Sequence, residues 1–172
     1  MSHTLATRRI SLRPPEPSDA QFFIDLYGDP EVMQFIPPTR APMDSEKALN
    51  RLSTLLEHWE IHGFGMYVIE EKKSKTPLGY CGLRYLEEVD AIELGSILGK
   101  SAWGKGIGPE AAKLCIDYAR DVLKADELIT LTDPDNARSQ KVIKRLGFER
   151  CEELDGVYHN TPHFFFVMHF GL

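Results

Sequence analysis

Trp103-Gly104-Lys105-Gly106-Ile107-Gly108 is the stretch on which the fold turns. It follows an apolar segment, Ala91 to Leu98, and the short connection Gly99-Lys100-Ser101-Ala102. It precedes a helical pattern from Pro109 to Leu123, with Ala111, Leu114, Cys115, Tyr118, Ala119 and Val122 on one face. A strand, a glycine-rich turn and a helix start together make an anion site. Glycines let the backbone approach a phosphate and aim successive N–H groups at it, and the helix dipole adds partial positive charge. Pro109 suits the first helical position, where its missing N–H would have had no partner.

Such a loop admits several readings. A tight turn without a ligand is one. A nucleotide P-loop, and with it a phosphotransferase, is another: Gly99 to Lys105 fits G-x-x-x-x-G-K, but Gly106 stands where a hydroxyl would hold Mg²⁺. A dinucleotide fingerprint is the third, but the spacing is G-x-G-x-G and the preceding strands look antiparallel.

The rest of the chain supplies the frame. Ile10-Ser11-Leu12-Arg13 reads as a first strand, stopped by Pro14-Pro15. Ser18-Asp19-Ala20-Gln21 has capping-box form and predicts a helix to Tyr27, broken by Asp29-Pro30, with a short turn from Glu31 to Phe35 before Pro37-Pro38. Asp44 and Ser45 predict the start of a helix carrying Leu49, Leu52, Leu55, Leu56 and Trp59 to His62, ended by Gly63. Gly65 to Glu70, Pro77 to Tyr85 and Ala91 to Leu98 form an antiparallel meander around the polar turn Lys72 to Thr76. Beyond the loop's helix come a strand, Leu128 to Thr132, a turn, Asp133 to Asn136, and a helix to Leu146 capped by Gly147. Phe148 to Glu152 and Phe164 to Phe170 close the order as β-α-α-β-β-β-α-β-α-β-β. This is an α+β chain with a mixed sheet of about seven strands and about four helices.

At 172 residues, 42% hydrophobic and 27% charged, the chain fits one globular domain. No apolar run approaches the ~20 residues that span a bilayer. The segment Met1 to Arg9 lacks a signal-peptide core, so a cytoplasmic location is expected, without a membrane partner. The net charge of −6 comes with no basic block, which disfavours nucleic acid. Cys81, Cys115 and Cys151 have no metal-type spacing and read as structural thiols. No metal is expected. His58-Trp59-Glu60-Ile61-His62 places histidines at i and i+4, but its glutamate is one place late for a zinc helix, and an amphipathic surface helix accounts for it. His159-Asn160-Thr161-Pro162-His163 reads as a loop.

Asp90-Ala91-Ile92-Glu93-Leu94-Gly95 followed by the loop and Pro109-Glu110-Ala111 resembles the GNAT N-acetyltransferase superfamily. About 30 residues further on, Asn136, Ser139, Val142, Lys144 and Leu146-Gly147-Phe148 look like its second hallmark, N-x-x-S-x-x-V-x-x-K-x-G-F. Arg13, Asp29-Pro30-Glu31-Val32-Met33 and Gly79-Tyr80-Cys81-Gly82-Leu83 are similar to the RimJ/RimL-like branch, named for ribosomal-protein acetylation. The resemblance runs from residue 8 to residue 172 as one domain. It implies a GNAT fold with acetyl-CoA as cofactor. The pyrophosphate would lie on Trp103, Gly104, Lys105, Gly106, Ile107 and Gly108, and the pantetheine along the strand at Ser96, Ile97 and Leu98. Asn136 and Ser139 would contact the cofactor. One departure is Gly108-Pro109, where the branch has a small residue and a hydroxyl; Pro109 removes one backbone donor from the phosphate site.

Acetyl transfer to an amine needs a neutral amine, a donor for the oxyanion and a proton for the thiolate. Glu93, on the strand entering the loop, is the candidate base, acting directly or through water. Ser139 is the candidate that protonates or positions the thiolate, and a backbone amide near Leu98 the oxyanion donor. The acceptor is expected to be a primary amine on a protein N-terminus or a small molecule. Phe35, Trp59 and Phe64 are expected near the loops shaping its pocket, and core packing explains two of Phe164, Phe165 and Phe166. Monomer and homodimer both stay open. A non-catalytic acyl-CoA sensor is the rival reading, needing neither Glu93 nor Ser139.

Overall fold

The computed structural model describes residues 4–171. Met1, Ser2 and His3 of the N-terminal reading, and Leu172 at the end of the expected domain, lie outside them. Among the described residues nine strands and five α-helices follow one another: β1 (Leu5–Ala6), β2 (Ile10–Arg13), α1 (Ala20–Tyr27), α2 (Pro30–Met33), α3 (Ser45–His62), β3 (Met66–Glu71), β4 (Pro77–Leu86), β5 (Ala91–Leu98), α4 (Ile107–Asp121), β6 (Glu127–Thr132), α5 (Ala137–Leu146), β7 (Glu149–Arg150), β8 (Gly156–Tyr158) and β9 (Thr161–His169). The sheet order is β1-β2-β3-β4-β5-β6-β9-β7, with β8 paired to β9.

The sheet is mixed at one place. All neighbours pair antiparallel except β5 and β6, which are parallel and share a single register pair, Glu93 with Ile129. The Thr130 hydroxyl donates to the Leu94 carbonyl at 2.9 Å, and past this point the strands diverge. One core lies between the sheet and α4, built on Ile10, Leu12, Tyr67, Leu83, Cys115 and Phe166. A second core gathers α1, α2 and α3 against Met66, Val68 and Tyr80. Both faces of the sheet are therefore covered, so β3 reads as a continuous buried run from Met66 to Ile69 rather than an alternation.

The order and type of the elements are those the sequence predicts, and the differences have local causes. The capping box belongs to Glu16 and Asp19 of a 3-10 turn, two residues earlier than expected. Asp19 is taken by Arg13, which meets both its oxygens at 2.7 and 2.9 Å, and gives α1 no cap. Helix α4 begins two residues early, at Ile107, with Gly106 as N-cap at φ 73°. Pro109 is thus the third helical residue, still within the turn whose N–H groups lack partners. Strands β1 and β8 are additions: two and three residues are too short to show a period. The segment expected as a loop from His159 to His163 is a hairpin. His159 and Asn160, at φ 51° and 66°, form its two-residue turn, and β9 starts at Thr161. Pro162 is tolerated because β9 is paired there on one side only, with Val157 of β8.

No helix among the described residues is long and apolar enough to cross a membrane. Phe165 and Phe166 are buried and Phe164 is not, its face covered by the Arg150 guanidinium.

Candidate active site

Divergence of β5 from β6 opens the sheet, and two cavities meet in the gap. The larger, about 610 Å³, runs from the glycine loop to α5. The smaller, about 380 Å³, is walled by the α2–α3 loop, β4, β5 and the β8–β9 hairpin. Gly95, Ser96, Ile97, Leu131, Asn136 and Ser139 line both, with Phe35 and Ile36. The segments that the sequence places at a reacting centre converge here.

One end of the larger cavity is the glycine loop. Gly104 and Gly106 hold φ 71° and 73°, a conformation glycine adopts without strain. A Cβ on Gly108 would come within 3.0 Å of the Leu98 side chain. Arg9 fixes the loop from outside, donating to the Lys105 carbonyl at 2.7 Å and pairing with Glu110 at 2.5 Å. Because a peptide's C=O and N–H point oppositely, the Gly106 N–H is turned away from Arg9. Trp103, Gly104, Gly106, Ile107 and Gly108 line the cavity; Lys105 does not.

Strand β5 offers its free edge to the same space. Leu94 accepts from Thr130 and Leu98 from the Trp103 indole at 3.0 Å, whereas the Gly99 N–H is turned back to Leu78. By alternation the backbone of Ser96 also faces the gap, and that of Ile97 faces β4. Ile97 therefore reaches the cavity with its side chain, and the Leu98 carbonyl is already occupied. At the junction, Asn136 Oδ1 accepts from the Ser139 N–H at 3.1 Å. The Ser139 hydroxyl has no hydrogen-bond partner among the described residues, leaving it available to a ligand.

Sequence reading missed one wall of this cavity. Arg138, Lys141 and Arg145 of α5 line it, and none pairs with a carboxylate among the described residues. Their i, i+3, i+7 spacing was the available signal, since it puts three cations on one helix face.

Side chains make the smaller cavity. Glu93 is buried, 4% exposed, with Oε2 held by Arg84 Nη2 at 2.6 Å and Nε at 3.2 Å. Burial alone would raise its pKa, but His159 and the Arg84 guanidinium hold it below the ordinary carboxylate value. His159 Nε2 stands 3.0 Å from Arg84 Nη2 and 3.7 Å from Glu93 Oε2, so it meets both members of the pair. His163, also buried, lines the cavity and donates from Nδ1 to the Thr161 carbonyl at 2.9 Å. Neither histidine carried a signal in the sequence beyond its presence.

Phe35 lines both cavities, but Trp59 and Phe64 line neither. Trp59 donates to the Met66 carbonyl, and Phe64 supplies the carbonyl that His58 Nδ1 meets at 2.9 Å. His58 Nε2 accepts from the Tyr85 N–H at 3.0 Å, so both its nitrogens are spent pinning α3 to the sheet. No group of three or more potential metal ligands occurs among the described residues. The cysteines are free thiols; Cys81 and Cys115 lie buried, 3.9 Å apart.

Residues 9–149 match the acetyltransferase (GNAT) domain model. The chain belongs to the GNAT acetyltransferase family. Its fold and family make it an N-acetyltransferase, in a family that uses acetyl-CoA. Among solved structures, an acetyltransferase from Agrobacterium tumefaciens superposes with a TM-score of 0.85 at 23% identity, covering 98% of this chain and 95% of that one. The ribosomal-protein-S5-alanine acetyltransferase of Vibrio fischeri gives 0.75 at 20%, covering 96% of each. The spermidine N(1)-acetyltransferase of Escherichia coli K12 is 28% identical over 163 residues, 88% of this chain and 82% of its own length.

Proposed function

We propose that this enzyme transfers acetyl from acetyl-CoA to a primary amine by direct attack in a ternary complex, with the cofactor in the larger cavity and the amine in the smaller. The observation that carries the reading is the junction: Ser96, Asn136 and Ser139 line both cavities where β5 parts from β6. When bound, acetyl-CoA supplies the activated thioester. The cavity suits it: unpaired N–H groups and two left-handed glycines at one end, three unpaired cations along α5, and a free strand edge between them. In this reading Gly104, Gly106, Ile107 and Gly108 hold the pyrophosphate and the edge at Ser96 and Leu98 holds the pantetheine. Lys105 helps only through its peptide, and Trp103 and Ile97 through side-chain contact.

At the junction, the Ser139 hydroxyl gives a hydrogen bond to the departing thiolate, which takes the proton that the amine nitrogen sheds as the amide forms, and the N–H groups of the β5 edge near Leu98 donate to the developing oxyanion. An alkyl ammonium has a pKa of ~10.4 and an α-ammonium ~8, so a proton must leave before attack. Glu93 accepts it through water. A carboxylate held ionised by Arg84 keeps a proton only in transit, so it serves as a relay to solvent rather than a store. His163, on the wall beside the junction, is placed to orient the neutral amine so that its single lone pair faces the thioester.

Both a ribosomal-protein and a polyamine acetyltransferase are similar to the chain, so membership of the RimJ/RimL-like branch and a cytoplasmic setting belong to the proposal. Thiol release from acetyl-CoA, followed across amines and N-terminal peptides, tests the reading. Turnover should fall about 100-fold in Glu93→Gln and about tenfold in Ser139→Ala. Binding of acetyl-CoA without turnover of any amine would favour a sensor. Thermal stabilisation by Mg-ATP and not by acetyl-CoA would remove the cofactor assignment.

A further inference from the structure

Charge in the smaller cavity is unevenly spent. Two carboxylates line it, and each already has its cation: Glu93 pairs with Arg84, and Asp133 with Arg40 at 3.1 Å. The Asp133 carboxylate also accepts from the Asp135 N–H. A polycationic acceptor would find no free carboxylate on this wall. The cations are not balanced in the same way. Arg51, half-buried on α3, lines the cavity and donates only to the Pro37 carbonyl, at 3.3 Å. No carboxylate lies within ion-pair distance of it among the described residues. Arg84 spends Nε and Nη2 on Glu93 and His159, which leaves its Nη1 edge. Arg51 and Arg84 line this same cavity, from α3 and β4. One uncompensated positive charge matches one monoanion, and 380 Å³ is at the small end of ligand cavities.

We propose that the acceptor is a small amine that carries a carboxylate, and that Arg51, with the free edge of Arg84, binds that carboxylate and so sets the enzyme's specificity against polyamines. This deepens the acetyl-transfer reading and rests on it for the chemistry at the amine.

The test pairs α-, β- and γ-amino acids (alanine, β-alanine, 4-aminobutyrate), each with its own carboxamide, and adds spermidine. Each compound is read in two ways: thermal shift in the presence of CoA, and thiol release from acetyl-CoA. At least one amino acid should be preferred over its carboxamide by about 10- to 100-fold, the range expected for a hydrogen bond to a charged group, with the difference in KM rather than kcat. Arg51→Gln should abolish that preference and Arg51→Lys should keep part of it, with the thermal shift from acetyl-CoA alone unchanged in both. Equal turnover of acid and amide, a preference for spermidine, or a preference surviving Arg51→Gln would overturn the proposal while leaving acetyl transfer standing. Carboxylate-selective, Arg51-dependent thermal shifts without thiol release would do the reverse: the ligand class would hold and the transfer reading would fail.

Discussion

The two cavities share a floor and differ in what their walls are made of. The larger is bounded in part by backbone, a loop with two left-handed glycines and the β5 edge, beside the cationic face of α5. The smaller is lined by side chains from the α2–α3 loop, α3, β4, β5 and the β8–β9 hairpin, with both its carboxylates paired to arginines and Arg51 without a carboxylate partner among the described residues. A backbone wall recognises whatever presents the right repeat of acceptors and donors. A side-chain wall can differ from one relative to the next without disturbing the fold, which is how one architecture comes to serve many acceptors.

The largest effect that would sharpen this contrast is at Glu93. Glu93→Gln should lower kcat about 100-fold and leave KM for acetyl-CoA within about twofold. Glu93 already sits below the ordinary value of 4.5, so it is ionised across the neutral range. The rise of kcat/KM with pH should therefore follow the amine's own deprotonation, and its midpoint should be the same in the variant. A rising limb in the carboxylate range that the variant abolishes would show Glu93 titrating as the rate-setting base.

Next is Gly106→Val, which puts a branched residue at φ 73° and brings a Cβ within 3.3 Å of the Arg9 guanidinium. The left-handed conformation costs about 1–2 kcal/mol for such a residue, so KM for acetyl-CoA should rise about tenfold with little change in kcat at saturation. An effect confined to the amine's KM would break the division of labour between the walls.

Pro109→Ser should act in the opposite direction. Residue 109 lies in the first turn of α4, and serine restores an N–H and adds a hydroxyl there. A gain of about threefold in acetyl-CoA affinity, measured by calorimetry, corresponds to one modest hydrogen bond. No gain would mean that this position does not face the phosphates.

The smallest effect concerns the support behind the smaller cavity. Burial holds the His58 pKa below its ordinary 6.5, because both nitrogens are engaged and the charged form is disfavoured. The folded state then takes up the proton less readily than the unfolded chain. His58's contribution to stability is complete above about pH 6.5 and is lost as the pH falls from there through the folded value. Denaturant unfolding between pH 7.5 and 5.5 should show this slope, and His58→Gln should flatten it. Equal slopes in the two proteins would remove His58 from the acid response.

The same contrast explains what could be read from the sequence. Periodicity located α3, α4, α5 and the meander, because each is long enough to repeat its pattern. The glycine loop was legible because its spacing constrains backbone geometry, and geometry of that kind has few uses. Strands β1 and β8 were not, since two or three residues carry no period. The smaller cavity was hidden for a different reason. Arg51, Arg84, Glu93 and His163 come from four separate elements, and only the closed sheet brings them together. Glu93 was found by its place beside the loop, but its pairing with Arg84 follows from the cross-strand register of β4 and β5, which the strand pattern does not print. His159 and His163 were set aside with a loop that turned out to be a hairpin.

The single register pair between β5 and β6 has a mechanical consequence. The sheet is two plates, β1 to β5 and β6 to β9, joined at Glu93–Ile129 and at the Thr130–Leu94 bond. Such a seam has a shorter ladder than the β4–β5 and β6–β9 pairings on either side of it. A ligand strand laid along the free edge of β5 would bridge it. Amide exchange along β5 and β6 should therefore slow when the larger cavity fills, stiffening the plates at the line where the two substrates must be held still against each other.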